Sequence, residues 1–340
     1  MKRNPLRLAA GALFCGALAS PAFAADTLKT IRDRGKVICG TSPGVAGFST
    51  QDANGRWQGF DIDICRALAA VVFNDSEKAA FVPLTSKDRL IALQAGEIDV
   101  LPRTTTWTLA RNAGQGVTFT AVNYYDGQGF MVPKKLNVTA AWQLGGASIC
   151  VAQGTTSELN LADYFRKLNL KYEPAAFGTS EEALKAYEAG RCDAYTTDVS
   201  ALSANLLKFR APEEHMVLPE VISKEPLGPW VRTGDETWFN LVRWTLFALI
   251  NAEELGITKA NIGEMAKSAN PEVKRFLGQD GKFGEALGVS NDWVVRVISA
   301  VGNYGESFDS HLGMKSRMHL QRGPNELWTK GGLQYSPPFR

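Results

Sequence analysis

The chain has 340 residues, enough for two domains with cores of their own, and its 45% hydrophobic content is ordinary for a globular protein. A formal net charge of +2 gives no reason to expect a nucleic acid or an acidic surface as partner. The cysteine spacing contains none of the close pairs that zinc sites use.

Lys2, Arg3 and Arg7 precede an apolar run from Leu8 to about Ala19, and Pro21-Ala22-Phe23-Ala24 puts small residues at the two positions a signal peptidase reads. The run is too short to span a bilayer, so a secretory leader cleaved after Ala24 is predicted. Cys15 lies inside that run behind bulky Phe14, which argues against a lipoprotein anchor. Thr27 to Arg34 then reads as a short helix and Gly35 to Gly40 as a strand. The glycine-rich segment Thr41 to Ser49 is a candidate pocket wall, and Asn54-Gly55 supplies the positive φ of a hairpin. Asp61 is expected to cap a helix whose apolar residues Ile62, Cys65, Ala69, Val72 and Phe73 keep helical spacing. Asp61 and Asp63 fit a cap and its first-turn neighbour better than an acid/base pair. Phe81 to Leu84 reads as the second strand, Ser86 as the cap of the next helix, and Gly96 as its end.

A short buried strand, Ile98 to Pro102, leads into Arg103-Thr104-Thr105-Thr106-Trp107-Thr108-Leu109-Ala110-Arg111. The hydroxyl run thus sits at the C-terminal edge of a strand, where open α/β sheets bind ligands. Unpaired amides, hydroxyls and the two-pronged Arg111 suit a small carboxylate. The alternative is that the threonines cap a helix and Arg111 lies on its wet face.

Val117 to Thr120 and Asn123 to Val132 suit a crossing strand, and a second lobe starts near Gly129. Ser148 to Ala152 opens its core. Thr155 and Glu158 then have capping-box spacing before a helix that buries Leu161, Tyr164, Phe165 and Leu168. The first amides of that helix, near Thr156, form a further anion site or serve capping alone. Ala186 to Ala194, in a unit whose helix begins at Ser180 and Glu181, echoes Ala92 to Val100 and also runs into hydroxyls, Thr196-Thr197, followed by Asp198. Two such units suggest two similar lobes, one offering a cation through Arg111 and the other an anion through Asp198. A free amino acid carries both charges on one carbon. Leu218 to Ile222 looks like the return strand, Thr237 to Ala252 and Asn291 to Val301 like amphipathic helices, and the tail like an irregular surface segment.

Four cysteines remain after the leader, an even number in an exported chain, which favours disulfides. Cys39 ends the first strand, Cys65 sits on the first long helix, and Cys150 and Cys192 are read on strands of the other lobe. Pairing within lobes, Cys39 with Cys65 and Cys150 with Cys192, is preferred among three connectivities, with four buried thiols as the alternative.

Several motifs together resemble the periplasmic amino-acid-binding proteins of ABC importers. They are Gly59-Phe60-Asp61-Ile62-Asp63, Gly96-Glu97-Ile98-Asp99-Val100, Thr106 with Arg111, Gly154-Thr155-Thr156 and Asp193-Ala194-Tyr195-Thr196-Thr197-Asp198. The resemblance covers roughly Leu28 to Ala252. The C-terminal extension, the four cysteines and Asn123 to Gly129 look more narrowly like the general, broad-specificity L-amino-acid-binding subgroup. The resemblance implies an α/β, two-lobed periplasmic-binding-protein fold (type II), each lobe a mixed sheet flanked by helices, joined by two hinge strands. It divides the chain into leader 1–24, a discontinuous lobe 1 of 25–127 and 222–340, and lobe 2 of 128–221.

The same resemblance implies a non-catalytic, cofactor-free monomer of the periplasm that captures a free L-amino acid and delivers it to the membrane permease of an ABC importer. Arg111, with the amides of Thr106 and Thr156, takes the α-carboxylate. Asp198, with the Thr104 carbonyl and the Thr106 hydroxyl, takes the α-ammonium, and Thr197 and Ser86 complete the expected set. Val45 and Ser86 stand where many relatives carry aromatic rings, and Ser42 where they carry an acid or aromatic. A broad range, resting on the α-carbon groups, follows. Arg103 is expected either to reach an acidic substrate side chain or to form a structural ion pair, and Trp107 to pack in the interior, with a place in the pocket lining as the alternative. Two alternatives are an exported amino-acid-processing enzyme and the soluble sensor module of a receptor. Against the enzyme, His215, His311 and His319 all lie away from these motifs along the sequence, and no serine or cysteine has an evident base partner.

Overall fold

The computed structural model describes residues 26–340; the predicted leader, its cleavage site after Ala24 and Cys15 lie outside the described residues. Helix α1 (Thr27–Arg34) opens with Asp26 accepting from Lys29 N at 2.8 Å and ends at Gly35 with φ 80°. Strand β1 (Val37–Thr41) follows, then the small hairpin β2 (Thr50–Gln51) and β3 (Trp57–Gln58). Helix α2 (Phe60–Phe73) starts behind Gly59, where φ is 135° and a Cβ would sit 2.2 Å from the Phe48 carbonyl oxygen, so no side chain fits. Asp61 is therefore not the cap. It lies within the first turn, is 2% exposed, and accepts from Thr104 N and Asn123 Nδ2, each at 3.2 Å.

Strand β4 (Ala79–Pro83) pairs parallel with β1. Helix α3 (Arg89–Gln94) has Asp88 at its N-cap position, so Ser86 is not a cap either; its hydroxyl faces Arg103. The expected strand before the threonines is reduced to isolated bridges, Val100 to Cys39 and Leu101 to Trp230. Helix α4 (Leu109–Gly114) and strands β5 (Val117–Phe119) and β6 (Tyr124–Asp126) complete the first pass through lobe 1.

Lobe 2 is built on β7 (Gln128–Pro133), β8 (Ser148–Ala152), α5 (Thr156–Lys167), β9 (Glu173–Phe177), α6 (Ser180–Glu188), β10 (Ala194–Asp198), α7 (Val199–Leu206) and β11 (His215–Val217). Its sheet order is β11-β7-β10-β8-β9, with β10, β8 and β9 parallel and β7 antiparallel to both neighbours. Thr155 accepts from Glu158 N at 3.2 Å, whereas the Glu158 carboxylate turns to Gly154 N at 3.0 Å, so only half of the capping box forms. The helix buries Leu161 and Phe165 but leaves Leu168 40% exposed.

The return strand is not Leu218 to Ile222. Leu218 N and Ile222 N still donate to the Phe130 and Gln128 carbonyls at 2.8 and 2.9 Å, but Pro219 has no amide to give between them, and the chain returns through β12 (Glu225–Leu227), antiparallel to β6. Strand β13 (Trp230–Arg232) then pairs with β5. The long α8 (Glu236–Glu254) buries Trp238, Leu241, Val242, Leu246 and Leu249. After it come α9 (Ile262–Met265), α10 (Pro271–Phe276), α11 (Phe283–Ala286), α12 (Trp293–Val301) and α13 (Tyr304–His311). Among the described residues no helix is long and apolar enough to cross a membrane.

The C-terminal helices share one core with α2 and α8, in which Trp238, Phe276, Trp293, Tyr304 and Phe308 are buried. Phe339 of the tail packs edge-on against Phe276 at 4.9 Å and Trp244 at 5.0 Å. The extension also grips the connection to lobe 2. Asn325 exchanges hydrogen bonds with both main-chain groups of Tyr125, at 2.7 and 3.0 Å, and Tyr304 and Gln334 both donate to the Asn123 carbonyl. Both disulfides form within lobes, Cys39 with Cys65 and Cys150 with Cys192. Cys39 is in the middle of β1, not at its end, and Cys192 lies in the bend before β10, not on a strand.

Candidate functional site

The threonine run leaves the sheet with its carbonyls held one by one. Arg89 Nη1 donates to Thr104 O at 3.2 Å, Trp230 Nε1 to Thr105 O at 3.0 Å and Arg111 Nη1 to Thr106 O at 2.9 Å. Thr108 caps α4 by accepting from Arg111 N at 3.3 Å. Arg111 is 9% exposed, so it does not lie on a wet face. Three side chains thereby fix three successive peptide planes, a degree of preorganisation a mobile loop lacks.

Across the cleft stands the N-terminus of α5. The Thr106 and Thr156 hydroxyl oxygens are 3.3 Å apart, and both donate to Glu225 Oε2, at 2.5 and 3.0 Å. Two further contacts bring the lobes together: Lys87 Nζ to Gln153 Oε1 at 2.5 Å, and Lys208 Nζ to the Gly44 carbonyl at 2.8 Å.

Asp198 ends β10 and occupies the N-cap position of α7, yet its side chain makes no cap bond. Asp126, on β6, does that work. It accepts from the Ser200 amide at 3.4 Å, the Ser200 hydroxyl and the Gly127 amide at 2.8 Å. Asp198 is left facing charges. Its carboxyl is held well above the usual range, first by burial and then by Asp126 and Glu225, against the opposing pull of Arg89 and Arg111. Burial also pushes Asp126 up to about 6 against its hydrogen bonds from Ser200 and Gly127.

Burial lowers the guanidiniums of Arg89, Arg103 and Arg111; for Arg89 the other two cations add to it, and Arg103 is lowered to about 10. All three stay charged at neutral pH. Buried cations thus confront Asp126, Asp198 and Glu225 across a small space. The Nε atoms of Arg89 and Arg103 are buried without a partner. Arg103 is 6% exposed, its Nη2 is 3.4 Å from the Ser86 hydroxyl, and Asp61 lies close enough to favour its charged form.

The cleft therefore assembles Arg111, Thr104, Thr106, Thr156, Arg103, Ser86 and Asp198. Thr197 is placed differently: strand alternation puts it on the face of β10 opposite Thr196, whose hydroxyl bonds Gln128 and the Gly129 carbonyl. Trp107 is 51% exposed and stacks on Phe119 with centroids 4.9 Å apart, so it is not interior packing. Sequence reasoning missed Arg89, Asp126 and Glu225. Arg89 carried a signal, since a cation in the first turn of a helix opposes its dipole and invites another explanation. Glu225 was hidden by the misplaced return strand.

Comparison with known proteins gives a consistent picture. Residues 37–261 match the family model of the bacterial extracellular solute-binding proteins, family 3. The chain is 54% identical to the general L-amino acid-binding periplasmic protein AapJ of Rhizobium johnstonii over 100% of both chains. It is 49% identical to the glutamate/glutamine/aspartate/asparagine-binding protein BztA of Rhodobacter capsulatus, covering 97% of this chain and 98% of that one. Among solved structures, an ABC transporter periplasmic binding protein from Brucella ovis with glutathione bound superposes with a TM-score of 0.91 and 52% identity, covering 93% of this chain and 100% of that chain.

Proposed function

The chain belongs to the bacterial extracellular solute-binding proteins of family 3, with their two-lobed type II fold, and on that premise we propose how it captures an L-amino acid for an ABC importer. The carrying observation is the convergence of Arg89, Arg103 and Arg111 with Asp126, Asp198 and Glu225 beside hydroxyls drawn from both lobes. Arg111 and the amides of Thr106 and Thr156 receive the α-carboxylate. Asp198, the Thr104 carbonyl and the Thr106 hydroxyl receive the α-ammonium. Neither half of this set is complete in one lobe, so ligand stabilises the closed form selectively.

Range follows from what recognition rests on. The relatives named above are described as taking general L-amino acids or the acidic amino acids and their amides, and one holds glutathione. Each of these molecules presents a free α-ammonium and α-carboxylate on one carbon, glutathione through its γ-glutamyl end. Val45 and Ser86 leave room beyond that carbon, which water fills around shorter side chains. Arg103, with its unpartnered Nε, favours a carboxylate in that space.

The protein works in the periplasm as a monomer, after removal of a leader ending at Ala24, and delivers its ligand to membrane permease subunits without cofactor or catalysis. Mass spectrometry of ligand co-purified with the mature protein, followed by calorimetric titration with L-amino acids, tests the reading. An unchanged amino acid bound with 1:1 stoichiometry is expected. Turnover of an added amino acid, or the absence of any binding, overturns it.

A further inference from the structure

Glu225 begins the strand by which the chain returns to lobe 1, and it is 1% exposed. Its Oε2 accepts from the Thr106 and Thr156 hydroxyls at 2.5 and 3.0 Å, and its Oε1 from Asn160 Nδ2 at 2.7 Å and the Ser223 hydroxyl at 2.6 Å. Thr106 belongs to lobe 1, Thr156 and Asn160 to α5 of lobe 2, and Ser223 to the connection between them. An ionised carboxylate only accepts, and a threonine hydroxyl has one proton to give. With that proton directed at Glu225, each hydroxyl has only lone pairs left for a third group. The 2.5 Å bond from Thr106 has the length of a charge-assisted bond, which holds its polarity firmly, while the Thr156 bond at 3.0 Å is longer.

We infer that Glu225 is a positioning residue for ligand capture: by taking the proton of Thr106 it makes that hydroxyl an acceptor for the ligand's α-ammonium, and by taking that of Thr156 it ties the same carboxylate to the other lobe when the lobes have closed. An ammonium has three protons to place and no lone pair, so hydroxyls of the opposite polarity repel it. Glu225 cannot bond Thr106 and Thr156 at once in an open form, because the two threonines then separate. Thr106 and the Glu225 strand are bridged within lobe 1, so closure adds the bonds from Thr156 and Asn160 to a carboxylate that Thr106 already faces. This inference rests on the amino-acid reading given above.

The test compares L-glutamine with glutaramate, the same molecule without its amino group. Glu225→Met removes the acceptor at similar length. It is expected to weaken L-glutamine by about 10- to 100-fold, the loss of a hydrogen bond to a charged group, and glutaramate by no more than about twofold. Equal losses for both ligands indicate a merely structural role and overturn the inference, as does an unchanged affinity for L-glutamine. Where glutaramate binds too weakly to measure, or Glu225→Met does not fold, the cycle of Thr106→Val with Glu225→Gln decides. Coupled losses for L-glutamine support the inference and additive losses overturn it. If the parent protein binds L-glutamine and no other amino acid tested, the inference still stands or falls on these ratios. If it binds none, the amino-acid reading itself fails.

Discussion

The hydroxyl of Thr106 lies 3.3 Å from that of Thr156, and the two residues belong to different lobes. Together with Lys87 on Gln153 and Lys208 on Gly44, this contact joins the two lobes. The Lys87 contact is exposed, so its net worth is small. Lys87→Ala is expected to weaken ligand binding by less than about fivefold, mainly through faster release. Stopped-flow dissociation checks it; a loss approaching a hundredfold would give Lys87 a role in recognition instead.

The disulfides close loops of 26 and 42 residues, inside the two lobes. Each is expected to stabilise by roughly 3 to 4 kcal/mol, the larger loop slightly more, chiefly by restricting the unfolded chain. Denaturant titrations of Cys39→Ala/Cys65→Ala and Cys150→Ala/Cys192→Ala proteins measure both. Peptide mapping without reductant should find no free thiol in the mature protein.

Much of this was legible in the sequence. Periodicity gave α1, α2, α5, α8 and α12, and the repeated Gly stop and polar turn gave two lobes with opposite charges at corresponding places. What stayed hidden depended on contacts between distant segments. Asp61 reads as a cap by position, yet Gly59 must enter the helix against the Phe48 carbonyl, and that close approach is tertiary. Asp198 reads as a ligand group from the repeated unit, but that Asp126, from the other side of the hinge, takes over the N-terminus of α7 is a contact between distant segments. Glu225 lies in a stretch with no local pattern, and its four donors come from three parts of the chain.

Arg103 separates two roles by experiment. As a side-chain ligand it should favour Glu over Gln, and Arg103→Ala should reduce that preference roughly tenfold. As a partner of buried Asp61 it should instead stabilise the fold by about 1 to 3 kcal/mol, with an unchanged Glu-to-Gln ratio. Asp61, pushed up to about 7 mainly by burial, takes a proton readily once Arg103 is gone. The structural loss should therefore be larger at about pH 8 than at about pH 5.5.

Stability and binding should respond oppositely to mild acid. Burial pushes the carboxyls of Asp61 and Asp126 up to about 7 and about 6 from the ordinary 3.8, and Asp198 is raised as well. The folded state thus holds more protons than the unfolded one between those limits, and its stability falls as pH rises through them. The empty protein is expected to melt at a higher temperature near pH 5.5 than near pH 8. If Asp198 receives the α-ammonium as proposed, it must be ionised in the complex, so binding should release protons and weaken as pH falls. Melting curves, and calorimetry in buffers of different ionisation enthalpy, give the two signs.

Asp198→Asn carries the largest expected effect. The side chain makes no bond to α7, whose N-terminus Asp126 already caps, so the fold does not depend on its charge. Burial and the neighbouring carboxylates Asp126 and Glu225 disfavour that charge in the empty cleft, and removing it relieves strain there. The variant should therefore melt no lower than the parent. Binding is another matter. An α-ammonium drawn into a closed, water-poor cleft beside Arg89 and Arg111 loses most of its hydration, and Asp198 offers the compensating charge. Truncating one side of such a buried charge pair typically costs about 2 to 5 kcal/mol, so affinity should fall by roughly 30-fold to several thousand-fold. Glutaramate, which has no ammonium, should bind the variant at least as well as the parent. Calorimetric titration of both ligands decides: an L-amino acid bound by Asp198→Asn within about threefold of the parent would remove Asp198 from the ammonium site.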